Sequence, residues 1–159
     1  MNADADAAAG IFARRSPYLD RYVQIGVASD RVISVAFPEE PADDADESHP
    51  VLDRIESYLE GVKPVGFDDV QVALTLPTDQ RSVLETLREQ VPYGEDITVA
   101  QLARMTPGLD AEDEDDLVLV RTALDANPAP LLIPDHRVRD GPSAAEPDVE
   151  QRLRSLEGL

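Results

Sequence analysis

Apolar positions along the chain follow two different rhythms. Residues 22–27 (Tyr-Val-Gln-Ile-Gly-Val) and 31–37 (Arg-Val-Ile-Ser-Val-Ala-Phe) alternate with a period of two, which predicts strands. Ala28-Ser29-Asp30 between them reads as the turn of a hairpin. A proline- and acid-rich stretch, 38–48, predicts a mobile loop. The rhythm then lengthens. Over 49–61 Val51, Leu52, Ile55, Tyr58 and Leu59 share one face of a helix that Gly61 stops. In this reading His49, beside Pro50, is a solvent-exposed neighbour of the cap. Residues 69–76 alternate again as a third strand, so 18–76 forms a small α+β domain behind a flexible tail, 1–17.

From residue 77 onward the pattern is helical with tight joints. Thr78-Asp79 caps a helix carrying Val83, Leu84, Leu87 and Val91, ended by Pro92-Tyr93-Gly94. Thr98 caps a short helix with Val99, Leu102 and Met105, closed by Pro107-Gly108. A third helix with Leu117, Val120 and Leu124 follows the acids at 110–116, which sit where a helix dipole favours them, and stops at Asn127-Pro128. Short helices around a proline–glycine joint fit a helix-turn-helix, as they fit many three-helix bundles.

Composition narrows the chemistry. The 159 residues contain no cysteine and no tryptophan. Disulfides, thiolate zinc sites and a sulfur nucleophile are thereby excluded. No apolar run reaches the length of a spanning helix, and the Ala/Asp-rich start has neither the basic nor the apolar region of a signal peptide. The expected product is soluble and cytoplasmic, without membrane, metal or cofactor. The net charge is −19, with 33 acidic residues against 14 basic ones, of which only Lys63 is a lysine. Such charge ordinarily opposes nucleic-acid binding. An acid-rich, lysine-poor surface is also how proteins stay hydrated in molar salt, where the screening length falls to about 3 Å, so a salt-loving source is the expectation.

The most informative stretch is 126–138, Ala-Asn-Pro-Ala-Pro-Leu-Leu-Ile-Pro-Asp-His-Arg-Val. Its prolines predict a rigid extended path with Leu131-Leu132-Ile133 buried, presenting Asp135, His136 and Arg137. Two readings stand side by side: a site built on a carboxylate and an imidazole, or a surface ion pair of Asp135 with Arg137 beside a neutral histidine. On an extended segment adjacent side chains point apart, which disfavours Asp135 and His136 as an acid–base pair. Metal binding by Asp135, His136 and Glu157 lacks a supporting spacing.

Asn127, Pro128, Pro130, Ile133, Pro134, His136, Arg137 and Val138 resemble the signature of the alkylguanine-DNA alkyltransferases. Upstream, 78–84 and Val91-Pro92-Tyr93-Gly94-Glu95, with Leu102-Ala103, resemble further family segments, so the likeness spans about 76–159. The resemblance implies a ribonuclease-H-like N-terminal unit and a winged helix-turn-helix over 77–159. It places Asn127, Pro134, Asp135, His136 and Glu157 at a lesion pocket. Arg104, Arg121, Arg137 and Arg139 remain as candidate contacts to DNA phosphates, with ordinary surface arginines as the alternative reading.

The departures carry equal weight. The family's nucleophilic cysteine is Asp135 here, and a carboxylate is a far weaker nucleophile toward an alkyl carbon. The arginine that unstacks the duplex falls at Asp125, and the tyrosine that turns the phosphate falls at Val99. The glycine-rich pocket loop is replaced by 140–145. The resemblance therefore implies a non-catalytic, alkyltransferase-like protein that binds alkylated guanine in double-stranded DNA and hands it to excision-repair proteins. The alternative is a degenerate winged-helix module for protein interaction or regulation.

Overall fold

The structure, a computed structural model, describes residues 9–159. The chain divides into two compact units between Ala73 and Leu74, giving a mixed α+β protein.

The first unit is built on a three-stranded antiparallel sheet of β1 (Gly10–Ser16), β2 (Arg21–Ala28) and β3 (Arg31–Ala36), in that order. Residues 10–16 are thus not part of a flexible tail; residues 1–8 lie outside the described residues. β1 pairs with β2 over its whole length, from Gly10 opposite Val27 to Ser16 opposite Arg21. Arg14-Arg15 breaks the alternation there in sequence, although Phe12 and Ala13 are buried. The β2–β3 hairpin turns on Ser29 and Asp30, both with positive φ (51° and 67°), the backbone that a two-residue turn needs to match strand twist.

Helix α1 (Pro50–Glu60) buries Leu52, Ile55, Tyr58 and Leu59 and packs near β1. Pro50 stands in the first turn, where its missing N–H is not needed, and Gly61 (φ 69°) closes the helix by donating to the Tyr58 carbonyl. His49 is not the exposed neighbour expected. It is the N-cap itself, its Nδ1 accepting from the Val51 N–H at 3.1 Å, and its buried ring lies 4.6 Å from that of Phe12.

The loop over 38–48 is tied down rather than loose. Asp46 exchanges backbone hydrogen bonds with Ala13 and Ile11, and the Ala42 N–H donates to Gln24 Oε1. The third strand expected over 69–76 shrinks to one parallel bridge between Val32 and Val72. Val32 bonds Gln71 and Ala73, and from Leu74 the chain belongs to the second unit.

That second unit packs three helices around Val83, Leu84, Leu87, Leu102, Ala103, Val120 and Leu124: α2 (Thr78–Gln90), α3 (Val99–Met105) and α4 (Glu114–Asp125). The cap of α2 is Pro77, with no side-chain bond; Thr78 is already helical and Asp79 Oδ1 accepts only from the Gln80 N–H. Thr98 forms a full capping box with Gln101 on α3, and Asp113 caps α4. A further helix, α5 (Pro147–Glu157), completes the unit. Its signals are present in the sequence: Pro147 in the first turn, Val149 and Leu153 four apart, and Gly158 in the left-handed conformation after it (φ 79°). None of the helices among the described residues is long and apolar enough to cross a membrane.

Candidate functional site

The site is assembled by the proline-rich segment after α4, which is not the extended strand expected. Three prolines withhold backbone donors, and Asn127 organises the rest. Its Oδ1 accepts from the Ala129 N–H at 3.0 Å, and its Nδ2 donates to the Ile133 carbonyl and to Asp135 Oδ2, each at 3.0 Å. The Ile133 N–H reaches back to the Ala129 carbonyl. Closing so tight a loop needs a reversal, which Leu131 supplies at φ 82°, a backbone region costly for a branched side chain. Residues 131–138 are all buried.

Directly after Pro134, Asp135–Arg137 form one 3-10 turn. With about three residues per turn, successive side chains diverge widely. Asp135 faces Asn127 and the following loop, where Oδ1 accepts from Ser143 Oγ at 2.6 Å and Oδ2 from the Ala144 N–H at 2.9 Å. Asp135 is 1% exposed. Burial pushes its carboxyl above the usual carboxylate range, against the opposing pull of Ser143, Ala144 and Asn127.

On the other side of the turn, Glu157 at the end of α5 collects His136 and Arg137. His136 Nε2 lies 2.6 Å from Glu157 Oε2. Arg137 donates from Nε to Oε1 at 2.8 Å and from Nη2 to Oε2 at 3.1 Å. The Gly94 N–H adds a fourth donor to Oε1 at 3.0 Å. Burial alone would raise the Glu157 pKa, but the bonds and charges of His136 and Arg137 outweigh it and hold it at about 2. An ionised carboxylate only accepts, so His136 Nε2 carries the proton of this bond. The turn at 91–94 closes the cluster: Arg137 Nη1 donates to the Val91 carbonyl at 2.8 Å, and its guanidinium lies 5.9 Å from the centre of the Tyr93 ring.

The backbone of the turn is braced from outside. Arg154 Nη1 donates to the His136 carbonyl at 2.8 Å and Nη2 to Asp96 Oδ2 at 3.0 Å, while Arg139 binds the other oxygen of Asp96. The hydrogen bond from Arg154 is the largest influence holding the Asp96 carboxyl below its ordinary range.

Asn127, Pro134, Asp135, His136 and Glu157 are therefore brought together, but in two compartments. Asn127 and Asp135 share one, His136 and Glu157 the other. The surface ion pair of Asp135 with Arg137 does not form: both are buried, and they face different partners. Arg137 is buried, with its guanidinium bonded to Glu157 and to the Val91 carbonyl. Arg104 and Arg121 are exposed on α3 and α4, and Arg139 is half exposed beside Asp96. The exposed face of α4 combines Arg121 with Glu114, Asp115 and Asp125. Sequence reasoning missed Ser143, Ala144, Gly94, Asp96 and Arg154. Gly94 carried a signal as the glycine of the Pro-Tyr-Gly turn, and Ser143 and Ala144 lie in the 140–145 segment that stands where the resemblance puts the pocket loop; Asp96 and Arg154 carried none.

Chemically the arrangement is closed. Both oxygens of Asp135 accept hydrogen bonds and its side chain is buried. Among the described residues no group of three or more His, Asp or Glu side chains is placed to hold a metal ion.

No protein-family model matches the chain, and no curated protein matches it. Solved structures do. A variant of the O6-methylguanine methyltransferase of Mycobacterium tuberculosis is similar with a TM-score of 0.72 and 19% identity over 94% of this chain and 91% of that one. The M. tuberculosis OGT in complex with DNA gives 0.71 and 22% identity over the same shares. The O6-methylguanine-DNA methyltransferase of Pyrococcus kodakaraensis gives 0.56 and 21%, covering 94% of this chain and 98% of that one. At these identities the likeness is one of fold.

Proposed function

We propose that the chain is an alkyltransferase-like protein of DNA repair that binds alkylated guanine in duplex DNA without accepting the alkyl group. One observation carries the reading: the position of the family's nucleophile holds Asp135, a buried carboxyl whose two oxygens take hydrogen bonds from Asn127, Ser143 and Ala144. The fold shared with O6-methylguanine methyltransferases, one of them solved on DNA, and the motif at 127–138 support DNA as the partner. In this reading the second unit, over 77–159, is a winged helix-turn-helix, the first unit with β1 included is ribonuclease-H-like, and Arg104, Arg121 and Arg139 meet phosphates. Excision-repair proteins receive the marked lesion in the cytoplasm of a salt-loving cell.

A second reading is favoured by the acidic face of α4, with Glu114, Asp115 and Asp125 around Arg121. There the module serves a protein partner and no longer reads lesions. Fluorescence anisotropy separates the two. A duplex with one O6-methylguanine is compared with the same duplex unmodified, in moderate and in molar potassium chloride, because affinity has meaning only at a stated salt. Tighter binding of the methylated duplex supports lesion recognition. Equal or absent binding overturns it and leaves the second reading.

A further inference from the structure

The first unit holds a cavity lined by none of the candidate site residues. Between β1, β2 and α1 it opens to about 340 Å³, and its floor is Val23, Leu52, Ile55 and Leu59. That volume lies in the range of binding pockets and leaves room for more than one aliphatic side chain. Tyr18, 37% exposed, stands at its rim, the kind of residue that anchors protein contacts.

The charges around it do not balance. Arg14 is held by Asp53 and Glu56, each at 2.8 Å, and by the Glu47 carbonyl. Arg15 is held by Asp20. The lining itself carries Arg14, Arg15, Glu56 and Glu60, and both arginines are already neutralised, by Glu56 and by Asp53 and Asp20 from outside the lining, which leaves the charge of Glu60 in excess. Glu56 and Glu60 also occupy the C-terminal end of α1, whose last turn has no basic residue. The helix dipole is negative there and favours a cation. The floor asks for an apolar group, and the rim asks for positive charge beside it.

We propose that this cavity docks a segment of a partner protein that inserts an aliphatic side chain and sets an arginine or lysine against Glu60 and the end of α1. The partner segment combines basic and aliphatic residues, and the site is independent of the DNA-directed reading of the second unit.

The test is titration of the ¹⁵N-labelled full chain with two peptides, acetyl-Arg-Leu-Leu-Arg-amide and acetyl-Glu-Leu-Leu-Glu-amide. It is run at the lowest potassium chloride that keeps the native circular dichroism. The basic peptide is expected to give saturable shifts at the amides of Leu52, Ile55 and Leu59, and the acidic peptide weaker ones. Glu60→Lys, at an exposed position, is expected to weaken the basic peptide about threefold, in line with one exposed ion pair, and Glu60→Gln by less. Equal shifts from both peptides, shifts away from α1, or no shifts overturn the proposal. So does self-association through this face, detected by sedimentation velocity and abolished by Glu60→Lys, because the occupant is then a second copy of this chain.

Discussion

Glu157 is the residue on which the second compartment of the site depends, and its replacement by glutamine has a calculable signature. The carboxylate accepts from His136, from Arg137 twice and from Gly94. Its pKa falls from 4.5 to about 2, and each unit corresponds to about 1.4 kcal/mol between protonation states. The ionised form therefore contributes on the order of 3 kcal/mol to the fold at neutral pH. Because the folded pKa is depressed, this contribution is complete above about 4.5 and is lost as pH falls from there toward 2.

Glu157→Gln removes the charge and leaves buried Arg137 without its counter-ion, so a loss of about 3 kcal/mol is expected at pH 7. The gap from the wild type should close as pH falls from 4.5 toward 2, where the protonated glutamate comes to resemble the amide. Urea unfolding followed by far-UV circular dichroism at a series of pH values measures it. Every other carboxylate titrates in both proteins, so the difference isolates this one. A gap below about 1 kcal/mol at neutral pH, or one that does not change with pH, would refute the reasoning.

Three further outcomes rest on the same geometry. Asp135 has a raised pKa, so its stabilising form is the protonated one, complete below the unfolded value and lost as pH rises through the folded value; Asp135→Asn should be more stable than wild type at pH 7 by about 1 kcal/mol, whereas Asp135→Ala, stranding Asn127 and Ala144, should lose about 2 kcal/mol in the same urea assay. A Cβ on Gly141 would stand 2.8 Å from Leu124 Cδ1 and 3.1 Å from atoms of both Val138 and Val99, so Gly141→Ala should cost about 1–3 kcal/mol and lower the melting temperature. Arg121→Ala should reduce the slope of log affinity for duplex against log salt by about one phosphate contact; Arg137→Ala should destabilise the fold and leave that slope unchanged.

Legibility tracks how local the cause is. The hairpin at Ser29-Asp30, the stop at Gly61 and the Thr98 cap are written in neighbouring residues, and each reappears in the structure. β1 is hidden because Arg14-Arg15 stands in the middle of its pattern, and Arg14 finds its partners, Asp53 and Glu56, only after α1 folds beside it. Alternation over 69–76 promises a full strand, but it meets a partner only at Val32.

At the site, proline chemistry predicts rigidity and burial but not shape. The reversal at Leu131 depends on Asn127 bonding Ile133 and Asp135, contacts of one side chain across the loop that no periodicity announces. Ser143 reaches Asp135 across 8 positions of chain, and Arg154 reaches His136 across 18 and Asp96 across 58, so these meet the turn through folding alone. The resemblance at 127–138 points to the site residues as a group. That Asp135 and His136 point apart is expected from their adjacency, but the 3-10 turn that separates them, in place of an extended strand, is not.

The most direct test of the account is to capture the full chain on an immobilised duplex bearing O6-methylguanine, elute it and determine its intact mass. The account predicts retention above that on the unmodified duplex and an unchanged mass. A gain of one methyl group, traced to Asp135, would contradict it by showing transfer at the position held here to be closed.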